Sequence, residues 1–145
     1  MTRLDFFNSL TQEQVAFLKS FEYMQESVYK TNTLKGFHKT DDAIDTLTEK
    51  YGVPAELVAE IHKARVSQKI ALTHSELSEG LEAVRKSKTA DEHIPEFSGL
   101  EAELADAVIR IMNLATREKA GLAEAILAKA AYNETRAYQH GGKAF

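Results

Sequence analysis

The chain reads as an all-α domain, and three observations say so. Its 145 residues contain only two prolines, Pro54 and Pro95. The stretches around them are rich in Ala, Leu, Glu, Lys and Gln, residues that favour helix. Apolar side chains recur at intervals of three and four, and Thr11/Gln14 and Ser98/Glu101 have the spacing of helix-initiating capping boxes. This length supports one hydrophobic core, so residues 1–145 are expected to form a single domain.

The first main helix is predicted to start at Thr11, with Phe17, Phe21, Met24 and Val28 at helical intervals, and to end near Gly36, a glycine suited to the position after a helix. A short amphipathic segment from Asp41 to Tyr51 places Ile44, Leu47 and Tyr51 on one side and stops at Gly52. Pro54 suits the first turn of the next helix. From Pro54 to about Ser87 nothing breaks the pattern. A continuous helix there would be roughly 50 Å long at 1.5 Å per residue, so a bend or break before Lys69 is expected. Residues 87–97 form a polar connection, and the third main helix should run from about Gly99 to Lys119. Gly121 separates it from a last helix over about Leu122 to Tyr138.

Composition narrows the functional classes. A net charge of −4 offers no broad attraction for nucleic acid, whose affinity rests on phosphate neutralisation by Lys and Arg. The absence of cysteine excludes disulfide scaffolds, thiolate zinc sites and a cysteine nucleophile. No apolar run approaches the ~18 residues that cross a bilayer. The N-terminal Met1-Thr-Arg-Leu-Asp-Phe-Phe7 lacks the apolar stretch of a secretory signal. The expectation is a soluble cytoplasmic protein with neither nucleic-acid nor membrane partner.

The chemistry concentrates in acids. Glu76 and Glu79 lie three apart on one predicted helix, as do Glu103 and Asp106 on another, and residues at this spacing project from one face. Two such carboxylate pairs facing one another would surround a hard cation with the oxygen ligands Mg²⁺ prefers. Either pair alone reads first as a solvated helix face. The first pair borders apolar surface: Leu72 falls between its acids, while Val66, Ile70, Leu77, Leu81 and Val84 mark the core side. On the later helix Leu100, Leu104, Val108, Ile111 and Ala115 define the core stripe. Arg110, Asn113 and Arg117 share the margin occupied by Glu103 and Asp106, as they would on a solvated face. Downstream, Lys129, Asn133 and Arg136 recur at i, i+4 and i+7, groups suited to phosphate oxygens or, equally, to capping a helix C-terminus. Phe17, Phe21 and Phe37 are read as core aromatics, Phe37 with the option of stacking on a base, and His74 as a packing histidine.

Taken in order, Glu76-Leu-Ser-Glu79, Glu103-Leu-Ala-Asp106 and Lys129-x-x-x-Asn133-x-x-Arg136, followed by Tyr138-Gln-His-Gly-Gly-Lys143, resemble the MazG-like all-α nucleoside triphosphate pyrophosphohydrolases. The likeness covers about residues 66–145 and, more loosely, Leu34-Lys-Gly-Phe-His38. It implies a four-helix-bundle-like domain with an additional short N-terminal helix and a metal-binding core at about 66–138. It implies Mg²⁺, with Mn²⁺ as a substitute, held by Glu76, Glu79, Glu103 and Asp106, with Glu79 the candidate to orient or deprotonate the attacking water. Lys129 and Arg136 would contact phosphates, Asn133 phosphate, sugar or base, and Lys143 is a weaker phosphate candidate. The implied reaction converts a (d)NTP to (d)NMP and pyrophosphate, in nucleotide-pool control or house-cleaning, by a homodimer or homotetramer. The competing reading is a non-catalytic helical module that homo-oligomerises. A di-iron carboxylate bundle wants Glu-x-x-His at helical spacing, which this chain lacks.

Overall fold

A computed structural model describes residues 2–137, and these form an all-helical fold. The seven helices among the described residues are α1 (Arg3–Asn8), α2 (Gln12–Leu34), α3 (Lys39–Asp45), α4 (Leu47–Tyr51), α5 (Ala55–Arg85), α6 (Gly99–Arg117) and α7 (Leu122–Glu134). None is long and apolar enough to cross a membrane. The anticipated caps set two of the starts. The Thr11 hydroxyl accepts from the Gln14 amide at 3.2 Å while the Gln14 side chain accepts from the Thr11 amide at 2.8 Å. Ser98 and Glu101 repeat the arrangement at the head of α6, with the Glu101 carboxylate accepting from the Ser98 amide at 2.8 Å. Thr2 and Asp5 form a third such box, on α1. The stop after α2 falls at Gly36, whose φ of 82° is the left-handed conformation that costs glycine least.

The predicted break in the long helix does not occur. α5 runs unbroken for 31 residues, about 46 Å. Its two halves serve different neighbours: the first packs on α3 and α4, the second on α6. The Asp41–Tyr51 segment is instead divided at Thr46 into α3 and α4. α6 lies between α5 and α2, and α7 packs chiefly on α2.

A salt-bridge node locks α3 to α5. Asp41 is buried and accepts from Arg65 Nε at 2.9 Å and Lys69 Nζ at 2.6 Å. Burial opposes ionisation of Asp41, but its bonds to Lys69 and Arg65 prevail and hold its carboxyl below the usual range. Arg117 at the end of α6 reaches Asp42 at 2.9 Å and also pairs with Asp45, tying α6 to α3. Beside this network His38 is 2% exposed, its ring 4.4 Å from that of Tyr29, and neither ring nitrogen has a hydrogen-bond partner.

Several side chains expected in the core are not covered by this chain. The fully buried apolar residues are mostly alanines, Ala83, Ala102, Ala107, Ala115 and Ala123, with Leu18, Ile44 and Met112. Ile70, Leu77, Leu81 and Val84 on α5 and Leu100, Leu104, Val108 and Ile111 on α6 are exposed, as are Phe37 and His74. Helices α5 and α6 meet instead through small residues. A Cβ on Gly99 would lie 3.1 Å from Ala83 Cβ, and one on Gly80 would lie 3.4 Å from Glu103 Cβ. The apolar periodicity identifies real stripes, but the helix pair turns its small-residue faces together and leaves the larger stripes outward.

His38 makes stability pH-dependent. Burial chiefly, with Lys69 and Arg117 nearby, lowers its pKa from 6.5 against the opposing pull of Asp41 and Asp42. The unfolded chain therefore binds this proton more readily than the folded one, so stability falls as pH drops below about 6.5. Thermal unfolding followed by circular dichroism should show a midpoint declining between pH 7 and pH 5, and H38F should flatten that decline. An equally steep decline in H38F would assign the effect to other groups.

Candidate metal and nucleotide site

The α5–α6 contact carries the acids. Glu76 is one turn before Gly80 on α5, and Glu103 and Asp106 are successive turns of α6, so the close approach at Gly80 sets the two helices' carboxylates face to face. One oxygen from each of Glu76, Glu103 and Asp106 lies within 4.8 Å of the others. Glu76 is buried, Glu103 half-buried and Asp106 exposed. Glu79, the fourth carboxylate of the expected set, stands outside this group: it is exposed and accepts from the Ser75 hydroxyl at 3.2 Å.

Crowded like charges perturb one another here. Desolvation, then the charges of Glu79, Glu76 and Asp106, raises the Glu103 pKa. Desolvation and the charge of Glu76 raise that of Asp106, against an opposing pull from Arg110. Three oxygen donors converging at this separation, with the ionised forms of Glu103 and Asp106 disfavoured by burial and by neighbouring negative charge, match what a hard divalent cation relieves. The donor set fits Mg²⁺ or Mn²⁺.

A cavity of about 420 Å³ opens beside the acids, with Glu76 and Asp106 in its wall. Its other lining divides by chemistry: Arg65, Lys69 and Arg110 are cationic, Asn32, Gln68 and Asn113 are amides, and Phe37, Leu72 and Ile109 are apolar. The Asn113 Oδ1 atom is buried without a partner. Such an atom costs free energy unless something donates to it. Another cavity, between α1 and α7, measures about 400 Å³. Size therefore does not single out a site; the adjoining carboxylates and the cation-amide-aromatic lining do.

Several sequence-based placements change. Arg110 and Asn113, grouped with a solvated margin, face the cavity, whereas Arg117 beside them pairs with α3. Lys69 is largely covered, lines the cavity and binds Asp41. Phe37 is 70% exposed at the cavity wall rather than in the core. Lys129, Asn133 and Arg136 all lie exposed at the C-terminal end of the chain, the first on α7 with its Nζ 4.8 Å from the centre of the Tyr132 ring. None of the three lines the cavity beside the acids. The Tyr138–Lys143 segment of the resemblance lies outside the described residues. Arg110 was findable in advance, since it falls one turn after Asp106 on the acids' own face; Lys69 and Asn32 depend on how α2, α3 and α5 pack and have no local signature.

Comparison with known protein families, with curated proteins and with solved structures gives no match to this chain.

The repulsion within the acidic group has a measurable consequence. With chelator present, E103Q should unfold a few degrees above the wild type, because it removes a charge the fold disfavours. Mg²⁺ at one hundred times its Kd should stabilise the wild type by about 2.7 kcal/mol and the variant by much less. Equal Mg²⁺ stabilisation of both proteins would exclude Glu103 from cation binding.

Proposed function

We propose that this protein is a Mg²⁺-dependent nucleoside triphosphate pyrophosphohydrolase of MazG-like type, converting a (d)NTP to (d)NMP and pyrophosphate in the cytoplasmic nucleotide pool. The observation that carries this reading is the convergence of Glu76, Glu103 and Asp106 at the wall of a cavity that also presents cationic, amide and aromatic groups. Mg²⁺ would be held by those three carboxylates, and when bound it supplies charge neutralisation for a triphosphate and acidifies water.

The chain's own residues divide the remaining work. Glu79, outside the ligand group, would accept a proton from the attacking water as its oxygen bonds to the α-phosphorus and the α–β bridging oxygen departs with pyrophosphate. Arg110, Lys69 and Arg65 offer positive charge along the cavity, the kind of positioning and charge stabilisation that phosphoryl transfer needs. Phe37 presents an aromatic face for the base, and Asn113 and Asn32 present amides to sugar or base. Lys129, Asn133 and Arg136 enter this scheme only from a second copy of the chain, because within one copy they do not line the cavity.

Oligomerisation belongs to the same reading. A compact monomer of this mass, 16.2 kDa, exposes roughly 7,500 Å². This chain exposes 10864 Å². The exposed stripes of α5 and α6 offer apolar surface on which an interface could form. The same surface serves the non-catalytic oligomerising module, and activity separates the two readings.

Incubating the protein with each NTP and dNTP plus Mg²⁺ should release pyrophosphate with at least one nucleotide, and D106N should lower kcat by at least about a hundredfold, as expected when a ligand to the cation that stabilises transition-state charge is lost. No release from any nucleotide at micromolar enzyme would end the catalytic reading. Sedimentation should give a dimer or tetramer, and L104E together with V108E should shift it toward monomer. A wild-type monomer at micromolar concentration would refute the assembly.

A further inference from the structure

We propose that Arg110 is an internal counterion of the acidic site: its guanidinium and a divalent cation compete for the Glu76 carboxylate, and the displaced guanidinium then binds the nucleotide's phosphates. This inference rests on the metal-dependent reading above and adds a coupling between the two ligands.

The geometry supplies both halves of the exchange. Arg110 Nε donates to Glu76 Oε1 at 2.5 Å, across the α5–α6 interface. The Glu76 side chain is 8% exposed, so its charge is costly without a partner, while Arg110 is 43% exposed and rooted one turn beyond Asp106. A cation ligated by Glu76, Glu103 and Asp106 would draw on the charge that Arg110 now neutralises and would repel the guanidinium at short range. Arg110 has somewhere to go: it lines the same cavity as Lys69, Arg65 and Asn113. Lys69 and Arg65 are committed to the buried Asp41, with side-chain exposures of 17% and 26%. Among these three cavity cations Arg110 is thus the most exposed and the one whose present partner is itself a candidate ligand. Its planar fork suits bidentate contact with phosphate oxygens.

Competition for one carboxylate makes the two binding events assist each other. A triphosphate that draws Arg110 away leaves Glu76 to the cation, and a cation that takes Glu76 leaves Arg110 to the triphosphate. The coupling is reciprocal by thermodynamic necessity.

The test is titration with Mn²⁺, followed by electron paramagnetic resonance, alone and with inorganic triphosphate at saturation. In the wild type, triphosphate should tighten Mn²⁺ binding. In R110Q, Mn²⁺ alone should bind roughly tenfold tighter, triphosphate should bind more weakly, and the mutual tightening should shrink by a similar factor, within the usual range of coupling between sites. R110M, which keeps the apolar stem, should behave as R110Q does and guards against a folding defect in either variant. A residue of merely structural importance would weaken both ligands together. Mn²⁺ affinity unchanged or weakened in both folded variants would overturn the proposal while leaving pyrophosphate release by the wild type intact. If the wild type neither binds Mn²⁺ nor releases pyrophosphate, the catalytic reading falls and this inference with it.

Discussion

The close meeting of α5 and α6 is the constraint from which the site follows. Helices approach this closely only where side chains are small, and here Gly80, Ala83 and Gly99 occupy the seam. The separation places Glu103 Cβ where a Gly80 Cβ would touch it, which carries Glu76, one turn earlier, into range of Glu103 and Asp106. Had the seam been built from the Leu, Ile and Val stripes of the same helices, the carboxylates would have been held further apart and rotated away from each other. The choice of faces is therefore the choice of site.

That choice puts like charges together, and the surrounding network offsets the cost. Arg110 neutralises Glu76 across the seam, while Asp41 gathers Arg65 and Lys69 and Arg117 fastens α6 to Asp42 and Asp45. The cavity is thus lined by acids and cations together, with Glu76, Arg110, Lys69 and Arg65 each held by a partner within the chain. His38, buried without a hydrogen-bond partner next to Tyr29, marks the least satisfied part of this network.

Helix boundaries were legible because they are local chemistry. The Thr11 and Ser98 caps, Gly36, Gly52 and Gly121 act through bonds and dihedrals within a few residues, and the starts of α2 and α6 and the all-α class follow from them. Spacing also paired Glu103 with Asp106 on one face of α6, since three- and four-residue intervals fix a helical face. What spacing could not decide was tertiary. The unbroken course of α5 depends on α3 and α4 bracing its first half, and the inclusion of Lys69 depends on Asp41 reaching it from another helix. Glu79 follows Glu76 by three residues, yet its carboxylate accepts from the Ser75 hydroxyl and it stands outside the group of three. Lys129 and Asn133 lie on α7 and Arg136 beyond its end, and none of the three lines the cavity beside the acids, since α7 packs on α2.

The misread core has the same physical origin. Apolar periodicity reports which face avoids water without saying what covers it, and α5 and α6 each carry two such faces, one of small residues and one of large. A single chain has enough partners for one face of each helix, and the alanine and glycine faces win it because only they allow the interhelical distance seen here. The large faces, Leu77, Leu81 and Val84 on α5 with Leu100, Leu104, Val108 and Ile111 on α6, then remain outward. Reading those stripes as core identifies surface that water disfavours, without saying what covers it. The faces that meet within the chain are thus the ones that set the carboxylates, which is why the small residues, and not the large stripes, carry the information about the site.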